Sequence, residues 1–229
     1  MVARTHVLFD LDGTLLDTEP GIACSLRWAC RREGLPLPTD AQVRSLIGPP
    51  IEVGLTGIGV PEHLIGPVAD AYNDHYRRVG VLDSSLFPGI GTLLNSLTDR
   101  GLTLAVATAK PEPAAQRALD HLGISERFAA CVGVQTEAGR RTKSEVIGAA
   151  LTTLGLRQSP ALTGRVVMVG DRDHDVIGAA DHQLRCIGVT WGYGSAQELL
   201  SAGAAALAHE PADLVDQVLQ ARLGPAADR

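Results

Sequence analysis

The chain has 229 residues, 45% of them apolar, with a formal net charge of −6; this fits one large domain, or one carrying a smaller insertion, with enough apolar mass for a proper core. The acidic balance and the lack of any Lys/Arg run leave no electrostatic footprint for nucleic acid or an anionic membrane, so neither partner is expected. No window approaches the ~18 uninterrupted apolar residues of a membrane span, and no charged segment leads into a long apolar stretch near residue 1, so a cytoplasmic location is expected.

The first predicted element is a short apolar strand, His6-Val7-Leu8-Phe9, which runs abruptly into Asp10-Leu11-Asp12-Gly13-Thr14. Burying two acids at a strand end is costly unless something uses them. If the chain is still extended there, Asp10 and Asp12 point to the same side. Such a pair suits a divalent cation, or a division of labour between an ionised nucleophile and a protonated acid. Gly13 then permits a tight turn with N–H groups facing outward.

Residues 19–82 are helical in pattern, with apolar faces at Ile22, Leu26, Ala29 and Cys30, then Val43, Leu46 and Ile47, then Leu64, Val68, Tyr72 and Tyr76. Breakers separate them at Gly34-Leu35-Pro36-Leu37-Pro38, Gly48-Pro49-Pro50 and Gly57-Ile58-Gly59-Val60-Pro61. The stretch is too long for a simple crossover and reads as a small helical domain inserted after the first strand. The expected division is therefore a core of residues 1–18 and 83–229 and a helical domain of residues 19–82.

After Phe87-Pro88-Gly89, helices and strands alternate. A helix with Leu93, Leu94 and Leu97 precedes a strand over 102–108. A helix over 113–122 leads to a weaker strand around 129–134, and a helix with Val146, Ile147, Ala150, Leu151 and Leu154 leads to a strand over 166–169. There follow a helix around 176–181, a strand over 186–190, a helix around 196–200, a short strand near 205–208 and a last helix with Leu214, Val218 and Leu219. Residues 224–229 read as a frayed tail. Alternation of this kind makes right-handed βαβ units, hence an α/β, doubly wound, Rossmann-like parallel sheet covered on both faces.

Cys24, Cys30, Cys131 and Cys186 lack metal-site spacing and are read as small buried hydrophobes, not disulfide partners. Lysine is scarce: only Lys110 and Lys143 are available to any mechanism that needs one.

In a doubly wound sheet, ligands bind at the carboxyl ends of the strands. The first strand ends in Asp10 and Asp12, the second in Thr108, and the fourth in Gly170-Asp171-Arg172-Asp173-His174-Asp175, while Arg140-Arg141-Thr142-Lys143 precedes the third of the later helices. Carboxylates, a hydroxyl and one cation are the inventory of a magnesium-assisted phosphoryl-transfer site.

Phe9-Asp10-Leu11-Asp12-Gly13-Thr14-Leu15, followed in order by Thr108, Lys143 and Gly170-Asp171-x-x-x-Asp175, resembles the four motifs of the haloacid dehalogenase superfamily, in members with a helical cap inserted after the first motif. Ala107-Thr108-Ala109-Lys110-Pro111, Ile47-Gly48-Pro49-Pro50 and Gly170-Asp171-Arg172 most resemble phosphoglycolate phosphatase-like proteins and related 5′-nucleotidases and nitrophenylphosphatases. The resemblance implies that Asp10 is the nucleophile, forming an aspartyl-phosphate, and that Asp12 is the general acid and then the base. It implies that Thr108, Ala109, Gly13 and Lys143 bind the phosphate, and that Lys143 also holds Asp10. Mg²⁺ is then held by the Asp10 carboxylate, the backbone carbonyl of Asp12 and Asp171, with Asp175 behind them orienting Lys143 or a bound water. Lys110 is the competitor for the part given to Lys143. Asp173 is expected to cap a helix, on whose face Asp171 and Asp175 lie together. His174 is not assigned a role, since imidazole rarely serves magnesium.

Within the cap, Glu19, Arg44 and Gly48-Pro49-Pro50 could face the substrate or be plain surface. The expected activity is hydrolysis of a small phosphorylated metabolite, with phosphoglycolate or a nucleoside monophosphate foremost, by a monomer or homodimer. A sugar phosphomutase shares all four motifs and is the enzymatic alternative. A dehalogenase needs no acid at Asp12, a phosphonatase needs a cap lysine that residues 19–82 lack, and a phospho-ligand-binding protein with a dead site would not need every catalytic position filled.

Overall fold

Strand β1 (His6–Phe9) has Val7, Leu8 and Phe9 wholly buried, because it lies inside a parallel sheet with a neighbouring strand on each side. The computed structural model describes residues 5–48, 50–156 and 165–221; Pro49 of the Gly48-Pro49-Pro50 turn and the tail at 224–229 lie outside them. The chain forms two compact units, Met1–Leu15 with Leu86–Arg229, and Leu16–Ser85. A two-stranded ribbon, β2 (Leu16–Asp17) with β3 (Ser85–Leu86), stands where the chain passes from one to the other.

The described residues of the Leu16–Ser85 unit form α1 (Glu19–Arg32), α2 (Asp40–Ser45), α3 (Ile51–Gly57) and α4 (Glu62–Arg78). Ile22, Leu26, Ala29 and Cys30 of α1 and Val68, Ala71 and Tyr76 of α4 are buried, the stripe the period of 3.6 demands. A Cβ on Gly21 would stand 2.0 Å from the Gly80 carbonyl, so two glycines let α1 and the 3₁₀ turn Gly80–Leu82 meet backbone to backbone. Thr39 caps α2 reciprocally with Gln42, which fixes its start. Cys24 is exposed and Cys131 only half-buried, contrary to the expectation of four buried thiols, Cys24 because it sits on α1 away from the Ile22/Leu26/Ala29 stripe; all four cysteines are free.

In the other unit, α5 (Ile90–Asp99), β4 (Thr103–Pro111), α6 (Glu112–His121), β5 (Ala130–Val134), α7 (Lys143–Thr153), β6 (Val166–Gly170), α8 (Asp173–Ala180), β7 (Arg185–Val189), α9 (Ala196–Ala202), β8 (Ala206–Ala208) and α10 (Pro211–Ala221) follow in order. The sheet order is β5-β4-β1-β6-β7-β8, with every pairing parallel. Leu8, Ala105, Ala107, Val166 and Met168 face one layer, where they pack with Val146, Ile147, Ala150 and Leu151 of α7, Val176 and Ala179 of α8 and Leu199 of α9. Alternation along the strands sends Val7 and Phe9 to the opposite face.

This is the doubly wound α/β sheet expected from the alternation of elements. The chain adds strands on one side of β1, then returns through α7 to add β6, β7 and β8 on the other, so the topological switch point lies at β1. Two local expectations are corrected. Residue 172, not Asp173, takes the cap position of α8, because Asp173 is already helical and the Arg172 N–H donates to Asp175 Oδ2 at 3.1 Å. Asp171 stands before the helix, so helical spacing is not what brings it near Asp175. No helix among the described residues is long and apolar enough to cross a membrane.

Candidate active site

Asp10 follows β1 directly, and its N–H donates to Val169 O of β6 at 2.8 Å, which ties it to the switch point. Lys143 is the first residue of α7. Its position is set by a reciprocal cap in which Thr142 Oγ1 accepts from Glu145 N and the Glu145 carboxylate accepts from Thr142 N. A cation in a first helical turn opposes the helix dipole. Here it is held by stronger charges: Lys143 Nζ lies 2.5 Å from Asp10 Oδ1 and 2.8 Å from Asp175 Oδ1, and donates to Ala107 O at 2.8 Å. Burial alone would lower the Lys143 ammonium, but the Asp10 and Asp175 carboxylates outweigh it and hold its pKa above the ordinary lysine value.

Asp171 and Asp175 are wholly buried. Asp171 Oδ1 accepts from Thr14 Oγ1 at 3.2 Å, and Oδ2 from Tyr193 N at 2.8 Å. Burial first, then the charges of Asp10 and Asp175, push the Asp171 carboxyl up to about 8. Burial likewise raises Asp175, with Lys143 opposing it. Asp175 Oδ1 pairs by charge with Lys143 but completes no hydrogen bond. Glycines make the crowding tolerable: a Cβ on Gly13, whose φ is +89°, would lie 2.3 Å from Asp171 Oδ2, and one on Gly170 would lie 2.3 Å from Asp175.

One oxygen from each of Asp10, Asp171 and Asp175 can lie within 4.8 Å of the others. Three buried carboxyl groups share one ammonium, crowding raises two of them above the ordinary aspartate value, and the donors are all oxygen. That chemistry fits a hard divalent cation.

Asp12 is not in that group. Its carboxylate pairs with Lys110, whose Nζ stands 3.1 Å from Oδ1 and 2.9 Å from Oδ2. Thr108 is buried in β4, and its Oγ1 accepts from Lys110 N at 3.2 Å; Ala109 between them is half-buried. The two lysines weighed against each other in the sequence thus each take an acid, Lys143 with Asp10 and Lys110 with Asp12. His174 lies beside the cluster, with Nε2 3.9 Å from Asp175 Oδ1. In the Leu16–Ser85 unit, Glu19 and Arg44 pair with each other at 2.8 Å.

The segment after β7, Trp191-Gly192-Tyr193-Gly194, also belongs to the site, beyond the residues expected from the sequence. Tyr193 N–H holds Asp171, and Trp191 Nε1 donates to Thr14 O at 3.0 Å. A Cβ on Gly192 would lie 2.2 Å from Gly13 O, and one on Gly194 only 1.9 Å from Asp171 O. The signal was there, since a Gly-x-Gly at the carboxyl end of a parallel strand falls under the same rule that picked out Asp10 and Asp171.

The model of the haloacid dehalogenase-like hydrolase family matches residues 7–189. The chain is 40% identical to the tyrosine-protein kinase PtkA of Mycobacterium tuberculosis over 94% of its own length and 71% of the relative's. It is 36% identical to a 5′-nucleotidase of Pseudomonas aeruginosa, covering 85% of this chain and 86% of the other, and 33% identical to a phosphoglycolate phosphatase of Agrobacterium fabrum, covering 81% and 80%. A solved haloacid dehalogenase-like family protein of Streptococcus pneumoniae superposes with a TM-score of 0.86 at 28% identity, over 95% of this chain and 99% of that one. With the sheet, its switch point and the buried acids in place, the chain belongs to the haloacid dehalogenase-like hydrolase family, as an enzyme resembling its phosphoglycolate phosphatase-like phosphatases.

Proposed function

We propose that this enzyme is a Mg²⁺-dependent phosphomonoester phosphatase that works through an aspartyl-phosphate on Asp10. The observation that carries the reading is the placement of the Asp10 carboxylate, 2.5 Å from the Lys143 ammonium and grouped with the buried acids Asp171 and Asp175. A carboxylate held against an ammonium in this way is a positioned nucleophile. Its oxygen bonds to phosphorus as the ester P–O bond breaks, and Asp12 gives a proton to the departing oxygen. Water then attacks the acyl phosphate, Asp12 takes a water proton, and the bonding pair returns to Asp10. Thr108, Lys143 and the N–H groups at Gly13 and Ala109 bind the phosphoryl oxygens. Mg²⁺ would be held by Asp10, Asp171 and the Asp12 carbonyl with Asp175 beside them, and would supply charge neutralisation there.

The substrate is a small phosphorylated metabolite, and the names of the relatives favour phosphoglycolate or a nucleoside monophosphate. The helical Leu16–Ser85 unit serves as the cap that selects it. Phosphate release from p-nitrophenyl phosphate and from a panel of phosphorylated metabolites, with Mg²⁺ or with EDTA, tests the reading. Full Mg²⁺-dependent turnover by Asp10→Asn sinks it.

A second reading is favoured by the 40% identity to a tyrosine-protein kinase: transfer of the phosphoryl group to a hydroxyl other than water, as a mutase would also require. Labelled phosphate appearing on an added tyrosyl peptide or sugar phosphate, instead of in solution, would select it.

A further inference from the structure

We propose that Lys110 is a positioning residue for Asp12, holding its carboxylate out of the Asp10/Asp171/Asp175 group and aimed for proton transfer. The inference rests on the reading of Asp12 as general acid and base.

Three observations carry it. Lys110 Nζ reaches both Asp12 oxygens, at 3.1 and 2.9 Å, so the carboxylate is gripped at two points and not simply neutralised. Lys110 is itself only 7% exposed, and its backbone is fixed. Its N–H donates to Thr108 Oγ1, and its carbonyl packs so closely on β5 that a Cβ at Gly133 would stand 2.5 Å from it. The β4–β5 register shifts between Ala107 and Pro111, re-aiming the strand at the residues where Lys110 leaves it. Finally, the other lysine is committed elsewhere, to Asp10, Asp175 and Ala107 O. The two acids of Asp10-Leu11-Asp12 thus receive separate cations. Of the two carboxylates, only that of Asp10 joins the buried side-chain oxygens suited to a divalent ion.

In the first half-reaction the Asp10 oxygen–phosphorus bond forms as the ester P–O bond breaks, the bonding pair staying on the leaving oxygen. The Asp12 proton moves to that oxygen, and the carboxylate left behind faces Lys110. In the second half-reaction the water oxygen bonds to phosphorus as the Asp10 oxygen–phosphorus bond breaks, the bonding pair returning to the Asp10 carboxylate, and the water proton goes to the same Asp12 oxygen. Without the clamp, Asp12 is free to turn, and substrates that need a proton delivered to the leaving group suffer most.

The test compares kcat/KM for p-nitrophenyl phosphate, whose leaving group needs no proton, with that for propyl phosphate, whose leaving group does. A positioned acid contributes roughly 10²-fold or more. Lys110→Met is therefore expected to lower the propyl phosphate value by about 100-fold while changing the p-nitrophenyl phosphate value less than about 5-fold, with Lys110→Arg recovering most of the loss. In an Asp12→Asn background, Lys110→Met should add nothing. If Lys110→Met does not fold by circular dichroism, Lys110→Gln carries the same comparison. An equal loss on both substrates, or a loss that persists in the Asp12→Asn background, overturns the proposal, the latter by placing Lys110 on the substrate. If Asp12→Asn itself strikes both substrates equally, the reading of Asp12 fails and the proposal with it. A leaving-group-selective Asp12→Asn beside a uniform Lys110→Met overturns the proposal alone.

Discussion

Lys143 Nζ stands 2.5 Å from Asp10 Oδ1 although the two residues are 133 positions apart, and the same ammonium is 2.8 Å from Asp175. One cation at a helix start therefore holds two buried acids in place. Removing it leaves carboxylates buried without a partner, which costs roughly 3–5 kcal/mol. Lys143→Met should lower the unfolding midpoint by several degrees and abolish phosphate release, whereas Lys143→Met/Asp175→Asn should recover part of the stability and none of the activity. Thermal unfolding followed by circular dichroism checks this; an unchanged midpoint for Lys143→Met contradicts it.

Asp171 gives the metal-free protein a pH dependence of definite sign. Its folded pKa of about 8 lies above the ~3.9 of an unfolded aspartate. Between those values the native state keeps a proton that the unfolded state has released, so this group's stabilisation is complete below pH ~4 and is lost as pH rises towards 8. In EDTA the slope approaches about 1.4 kcal/mol per pH unit. Melting temperatures in EDTA should fall between pH 5 and 8, Asp171→Asn should flatten the fall, and added Mg²⁺ should stabilise most at the upper end. An identical slope in Asp171→Asn would show that other groups carry it.

Gly192 is the tightest test of the loop after β7. A side chain there meets Gly13 O at 2.2 Å and Asp171 Cβ at 2.6 Å, so the backbone must shift and the Tyr193 N–H must leave Asp171. Disturbing a group that orients a metal ligand typically costs 10–100-fold in affinity. Gly192→Ala should weaken Mg²⁺ binding by about 10-fold in calorimetry. Gly91→Ala, at an exposed helical position with nothing within 4 Å, should leave it unchanged and stabilise the fold slightly. Equal Mg²⁺ affinity for wild type and Gly192→Ala counts against the loop's part.

Glu112 anchors the segment that delivers Lys143. Its carboxylate accepts from Gly133 N at 3.1 Å, Gln135 Nε2 at 2.7 Å and Arg140 at 2.6 Å. Glu112→Ala should cost about 1–3 kcal/mol and free the 135–142 segment, so trypsin should cut after Arg140 or Arg141 several times faster than in the wild type. Unchanged cleavage would mean that the segment holds by other contacts.

Much of the site was legible because its signals are local. The apolar run ending in Asp10, the Thr142-Lys143-Ser144-Glu145 cap and the Gly170-Asp171 strand end each declare themselves within a few residues, and alternating helices and strands imply the sheet that gathers them. The helix start at residue 173 and the exposure of Cys24 differ from expectation because caps and solvent faces depend on neighbours that one window does not contain. The contribution of Trp191-Gly192-Tyr193-Gly194 to Asp171 is a backbone N–H, which the sequence marks only indirectly, through the two glycines that admit the close approach.

By itself, then, the amino-acid sequence determined the doubly wound sheet, the order of the strand-end acids along it and the family to which they belong. Only the tertiary structure decided the pairings: Lys143 with Asp10 and Asp175, Lys110 with Asp12, Tyr193 N–H with Asp171. The reason is geometric. Periodicity and capping act over one or two turns, whereas Asp12 and Lys110 are 98 residues apart and meet because β1 lies beside β4 in the register His6 to Thr103.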